Sequence, residues 1–416
     1  MIVEVLGARW NLSQRVREAA LAAEPWLTNR DPRRRVTVAA KMIDAFASEG
    51  IDESDLAGSN GYGYDEAVRE RYESLLSRYF GAERTLARLS IVSGTHAIVT
   101  ALAALVSPGE LLLSAGRPYD TLRNAIVDAE YSLVSGGLRY GEVPLCDDGT
   151  LDAPALADRV AHERPAAVFI QRSRGYAARK TFRVESIAGA CTAIRAVAPK
   201  TLVLVDNCYG ELVEAREPLE VGADLIMGSL IKNLGGGIAP GGGYIAGRAA
   251  AIERVAARLY APGLRGGIGP SFGLGRLLVQ GLYRAPLAVD ETLRGLDFAA
   301  ALFAALGYTV DPPAGAERGD IVQSLALGNC ERLIAFAGGL QRAMPVNARF
   351  RPESGPVPGY RDPVVMSSGA FIAGATSELS CDAPLRPPYE MYLQGGTSVE
   401  QIVVGAMLAA DAVVAA

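Results

Sequence analysis

Apolar residues recur in two rhythms along this chain, and the change of rhythm divides it. Up to about residue 60 they fall at helical spacing, in LSQRVREAALAAE and VTVAAKMIDAFASEG, before the glycine-rich loop GSNGYGYDEA. The stretch DEAVRERYESLLSRYFG predicts an amphipathic helix closed by Gly81 as a C-cap. Short apolar runs then alternate with helical patterns. LARLSIVS, GELLLSA, PAAVFIQ, TLVLVDN, DLIMGSL and GGYIAG read as strands, and THAIVTALAALV, YDTLRNAIVDAEY and ESIAGACTAIRAV as helices. Runs without polar alternation, separated by helices, predict an α/β domain whose mostly parallel sheet is covered on both faces. From about residue 286 the pattern turns to helices with fewer, shorter strands and proline-rich connections. The expected organisation is an N-terminal helical segment (1–60), a large domain (61–285) and a smaller α+β C-terminal domain (286–416). The N-terminal segment would pack on the small domain or on a partner subunit.

Composition narrows the function. With 416 residues, a formal net charge of -5 and 21% charged residues, the chain is an ordinary globular protein with room for a large core. No global field favours nucleic acid or an anionic membrane, and the short basic run RDPRRR is expected to be a solvated helix start or a subunit contact. No apolar stretch reaches membrane-spanning length, and Glu4 and Arg9 precede any long apolar region, which does not fit a signal peptide. Cys146, Cys191, Cys208, Cys330 and Cys381 are dispersed without a CxxC pair, as expected for reduced thiols in the cytoplasm. His96 and His162 are too few for a histidine metal cluster, and no metal ligand set is expected.

The chemistry gathers around Asp206 and Lys232. TLVLV delivers an acid at its end in VDNCYGE, and DLIMGS delivers a lysine followed by a glycine cluster in ADLIMGSLIKNLGGG. A solvated pair is the ordinary fate of an isolated Asp and Lys, but both sit beside buried-strand patterns. The layout suits pyridoxal 5'-phosphate (PLP): a lysine to hold the aldehyde as a Schiff base, and an acid to keep the ring nitrogen protonated. SGTHA places Ser93, Gly94 and Thr95 at a strand-to-helix turn, where backbone N–H groups favour a phosphate. Ser229 lies three residues before Lys232, so one turn can offer a hydroxyl to the phosphate and an amine to the aldehyde. The rival reading, an S-x-x-K serine nucleophile, lacks a KTG-type partner and leaves Asp206 without a role. Tyr119, in GRPYDTL, follows the strand GELLLSA and can stack on the cofactor or move protons.

These strings resemble the methionine gamma-lyase-like family often called aluminium resistance proteins, a branch of fold-type I PLP enzymes related to cystathionine gamma-lyase. GYGYDEAVRE, SGTHAI, GRPYDTL, IQRSRGY, VDNCYGE, ADLIMGSLIKNLGGG, GGYIAG, GAFIAGATSELS, PLRPPY and YLQGG carry the resemblance from about residue 60 nearly to the C-terminus. It implies Lys232 as the covalent anchor, Asp206 on the pyridine nitrogen, Tyr119 on the ring, and Gly94, Thr95 and Ser229 on the phosphate. It also implies a homo-oligomer, dimer or tetramer, in which Tyr62 or Tyr64 reaches the neighbouring subunit's phosphate. The expected reaction is β- or γ-elimination from an L-amino acid, with γ-replacement, transamination and a catalytically silent homologue as the other readings. The sequence departs from the family pattern in APGGGYIAG, ELSCDAP and the TSVEQ that follows YLQGG, all segments expected to border the substrate. A halogenated, unsaturated amino acid losing halide to give an alkyne such as propargylglycine is a narrower possibility that these departures motivate. For the substrate carboxylate the first candidate is Arg386 in PLRPPY, with Arg172 and Arg174 as competitors and Arg361 behind them.

Overall fold

The computed structural model describes residues 1–416. Seven strands form the larger sheet: β1 (Arg84–Arg88), β2 (Leu111–Ala115), β3 (Arg139–Val143), β4 (Ala167–Gln171), β5 (Leu202–Asp206), β6 (Leu225–Ser229) and β7 (Gly243–Gly247). Their order is β1-β7-β6-β5-β4-β2-β3. The β3-β2-β4-β5-β6 block is parallel, and β7 runs antiparallel to both β6 and β1. Every residue of β2, β4, β6 and β7 is buried, because helices cover both faces. Phe169, Leu204 and Met227 pack on one face with helices Gly94–Leu105 and Ala249–Tyr260. Val168, Ile170, Val203 and Val205 pack on the other with helix Val184–Val197. This is the mostly parallel, doubly covered α/β sheet that the strand pattern predicts, and it agrees with the fold-type I architecture that the resemblance implies.

The C-terminal region holds a separate antiparallel sheet. Strands β8 (Thr309–Asp311), β9 (Val322–Ala326), β10 (Ser354–Gly355), β11 (Val364–Ser368), β12 (Ser380–Pro384) and β13 (Glu390–Gln394) pair in the order β10-β11-β12-β13-β9-β8. Helix Gly275–Ala305 runs 31 residues from the larger sheet to this one, with Pro286 inside it. A division at residues 285 and 286 therefore falls within one continuous helix.

The helix expected after Tyr119 forms over Asp120–Asp128, its second half widened into a π-helix in which Ala129 N bonds Asn124 O at 3.0 Å. Two other local readings differ from the structure. Strand β3 has no apolar run to announce it, because it is the sheet edge and its first four residues keep some exposure. The basic run RDPRRR is not simply solvated. Asp31 caps helix Pro32–Glu49 by accepting from Arg33 N, while Arg30 and Arg34 form ion pairs with Asp297 and Asp290 of the long helix.

Candidate active site

A cavity of ≈ 390 Å³ opens at the carboxyl ends of β4, β5 and β6, against the start of helix Gly94–Leu105. Open α/β sheets bind ligands in this crevice because successive strands end there and their loops part. Ser93, Gly94, Thr95, Tyr119, Asp206, Ser229 and Lys232 all line it. Seven residues chosen from four separate stretches of sequence thus meet in one place.

Asp206 is the last residue of β5 and only 4% exposed. Its Oδ1 accepts from Cys208 N at 3.1 Å, and no basic side chain bonds to it. Burial pushes its carboxyl up to about 6, against the pull of the Cys208 contacts and of Lys232 and Arg179 nearby. Lys232 is half-buried in the cavity wall. Its Nζ donates to Tyr209 Oη at 2.9 Å and to Thr376 Oγ1 at 3.1 Å. Burial works against the ammonium, but Tyr209, Cys208 and Glu211 outweigh it and hold the lysine above its ordinary value. The other lysines, Lys41, Lys180 and Lys200, all lie outside the cavity lining.

The phosphate turn is built by close approach. A Cβ on Gly94 would meet Cys208 Sγ at 2.9 Å, so glycine lets the turn sit this near the loop after β5. Ser93 is the N-cap, its Oγ accepting from His96 N at 3.1 Å, and the first N–H groups of the helix have no partner within it. Tyr119 is held from both ends. Its N donates to Gln171 Oε1 at 2.8 Å, its hydroxyl meets Thr95 Oγ1 at 2.7 Å, and burial raises its phenol well above the usual range.

The predicted arginines separate. Arg172 is fully buried outside the cavity, bonded to Asn207 Oδ1 at 2.7 Å and Glu214 Oε2 at 2.8 Å. It braces the loop after β5, and its carboxylate partners are protein groups, so it is not placed to meet a substrate. Arg174 and Arg386 line an adjoining chamber of ≈ 280 Å³ that shares Tyr119, Tyr176 and Tyr360 with the main cavity. Arg174 is paired with Asp311. Arg386 reaches Asp362 at 3.0 Å and Asp120 at 3.4 Å and remains 36% exposed. Arg361 is exposed and lines neither chamber. Tyr62 and Tyr64 lie on the surface, 70% and 60% exposed, and do not line the cavity.

Sequence reasoning missed Tyr209, Tyr176, Thr376 and Asp382. Tyr209 sits three residues beyond Asp206 in the same VDNCYGE string. Asp382 on β12 is half-buried, accepts from Gln394 Nε2 at 2.5 Å and contacts the Tyr176 phenol; desolvation pushes it up to about 6. Its position inside the atypical ELSCDAP segment was the available signal.

The donor set fits pyridoxal phosphate. A buried carboxylate without a basic partner suits a protonated ring nitrogen, a lysine lines the same cavity, and a glycine turn with free N–H groups and hydroxyls suits the phosphate. Fold and site together define a fold-type I, PLP-dependent enzyme. The methionine gamma-lyase family model matches residues 13–414, and the chain belongs to that family. It is a PLP-dependent enzyme of the cystathionine/methionine gamma-lyase type. An uncharacterized protein of Bacillus subtilis, YnbB, is 40% identical over 368 residues, covering 87% of both chains. The crystal structure of a carbon-sulfur lyase involved in aluminium resistance from Clostridium novyi NT is 36% identical over 97% of both chains, with a TM-score of 0.92. The PLP-dependent protein YhfS of Escherichia coli shares the fold at 19% identity and a TM-score of 0.63, over 92% of this chain and 96% of its own.

Proposed function

We propose that the protein eliminates a γ-substituent from an L-amino acid, with Lys232 as the group that takes and returns protons. The observation that carries this reading is Lys232 lining one cavity with the unpaired Asp206 and the Thr95-bound Tyr119. Pyridoxal phosphate, when bound, supplies an electron sink for the charge left on a substrate carbon that loses its proton. Asp206 would hold the ring nitrogen, Gly94, Thr95 and Ser229 the phosphate, and Tyr119 a face of the ring. Arg386 would take the substrate carboxylate from the adjoining chamber, where Asp120 and Asp362 now share it. The enclosing tyrosines Tyr119, Tyr176, Tyr209 and Tyr360 exclude water from the reacting carbons.

The leaving group is a thiol or a halide. β12 carries Asp382 against Tyr176 at the cavity wall, while the family departures Cys381 and Ala383 pack in the core on its opposite face, one layer behind that contact. A γ-chlorinated, unsaturated amino acid losing chloride here would yield an alkyne such as propargylglycine. Incubating the holoenzyme with β- and γ-substituted amino acids, and scoring ammonia, keto acid, thiol and halide together, tests this. Ammonia with stoichiometric thiol or halide supports elimination. Keto acid accompanied by the amino form of the cofactor would show transamination instead.

We also read the protein as a homo-oligomer with shared sites, because the exposed Tyr62–Tyr64 pair has no work in its own subunit. A monomer by light scattering, fully active at nanomolar concentration, would contradict that.

A further inference from the structure

Among the groups around Lys232, Tyr209 is held in the most constrained way. Its hydroxyl accepts from Nζ at 2.9 Å, and Nζ lies 4.1 Å from the centre of its ring. Its backbone has φ of 70°, a left-handed conformation that a bulky residue rarely adopts. The surroundings enforce it. Tyr209 O accepts from Asn233 Nδ2 at 3.0 Å and from Ile321 N at 3.1 Å. A Cβ on the following Gly210 would fall 2.5 Å from Arg172 Cδ. Asn233 directly follows Lys232, so one amide ties the lysine turn to the tyrosine turn. Tyr119 is arranged differently: its hydroxyl is spent on Thr95 Oγ1, toward the phosphate turn.

We propose that Tyr209 is a catalytic proton relay for Lys232, an assignment that rests on the elimination reading above. Elimination from Cγ asks one lysine to collect protons from two successive carbons, so it must shed the first before taking the second. In the relay, the Lys232 ammonium gives a proton to the Tyr209 oxygen as the Tyr209 O–H gives its own to the departing group. The bond from carbon to that group breaks, and the electron pair leaves with it. One proton moves in net; the phenol ends neutral, and Lys232 ends as a free amine. No oxidant, reductant or further co-reactant is needed. Thr376 Oγ1, from the small domain, steadies Nζ at 3.1 Å.

Tyr209→Phe removes the relay oxygen and keeps the ring. Ammonia release by the holoenzyme is expected to fall about 100-fold in kcat, with KM within about threefold, while Cα hydrogen exchange in D2O persists. Borohydride-fixed cofactor content should equal that of the wild type. In the cofactor-free protein, losing the acceptor of the ammonium should let Lys232 react with an aldehyde probe at lower pH. Placing 3-fluorotyrosine at position 209 keeps every contact and makes the phenol more acidic, so one limb of the kcat profile should move to lower pH. The relay is overturned if Tyr209→Phe keeps kcat within about threefold, if exchange and ammonia release fall together, or if fluorination leaves the profile unmoved. A wild-type enzyme that exchanges the Cα hydrogen but releases no ammonia from any substrate overturns the elimination reading and the relay with it.

Discussion

Asp206 and Arg172 end neighbouring stretches of the sheet and are joined by a backbone bond, Arg172 N to Asp206 O at 3.0 Å. Both are buried, at 4% and 0% exposure. Their surroundings are opposite. Arg172 is answered by Asn207 at 2.7 Å, Glu214 at 2.8 Å and Glu217 at 3.6 Å. Asp206 has one backbone N–H and no cation. A buried charge surrounded by protein partners holds a fold together, whereas one left short of partners is waiting for a ligand. The first braces the loop after β5 from behind, and the second faces the cavity from the same loop.

Substituting the two residues should therefore have opposite consequences. Asp206→Asn is expected to slow turnover about 100-fold or more, because electrostatic stabilisation at such sites is worth about 3 kcal/mol. The same change should stabilise the cofactor-free protein. The folded carboxyl titrates at about 6 against an ordinary 3.8, so the favourable contribution of the protonated form is present below pH 3.8 and lost as pH rises through 6. Melting the cofactor-free forms should show the variant ahead at pH 8 and level at pH 3.5. A variant less stable at pH 8 would remove the contrast. Arg172→Met leaves Glu217 buried without its cation, and the unfolding midpoint should fall by the equivalent of about 3–5 kcal/mol. The folded fraction should still carry cofactor on Lys232.

Smaller effects sharpen the boundary between the cavity and its brace. Arg386→Lys keeps the charge and loses the two-pronged geometry, so KM for amino-acid substrates should rise about tenfold, equivalent to ~1.4 kcal/mol, with cofactor retained. If Arg174→Lys raises KM and Arg386→Lys does not, the carboxylate belongs with Arg174. Glu211 is fully buried, and burial pushes it up to about 8, so near pH 7 it is largely a neutral acid accepting from Tyr244 at 2.9 Å. Glu211→Gln should change stability by less than about 0.5 kcal/mol at that pH. A larger loss would mean that the carboxylate form is in use.

The sequence shows most readily what burial imposes on composition. Strands covered on both faces, such as β4 and β6, are apolar up to the polar residue that ends each at the cavity, and they read directly as AVFIQ and LIMGS. Edge strand β3 need not be, and RYGEV gives no such signal. The small-domain sheet was equally faint, since β11 spans only five residues and alternates buried and exposed positions over the last four. Asp206, Lys232 and the SGT turn stood out because each sits where an apolar run stops. Tyr209 stood in a quoted string, yet its left-handed backbone is created by Asn233, Ile321 and Arg172 and leaves no local mark. Thr376 lies 144 residues from the lysine it touches, and only the meeting of the two domains brings them together.

The central claim is that pyridoxal phosphate is carried on Lys232 opposite Asp206. Borohydride reduction of the purified protein, followed by proteolysis and mass spectrometry, reads it directly. The account predicts one reduced adduct, on the peptide containing Lys232, absent from Lys232→Ala, with Lys41, Lys180 and Lys200 unlabelled. An adduct confined to any of those three lysines, or a fully active Lys232→Ala protein, would contradict it.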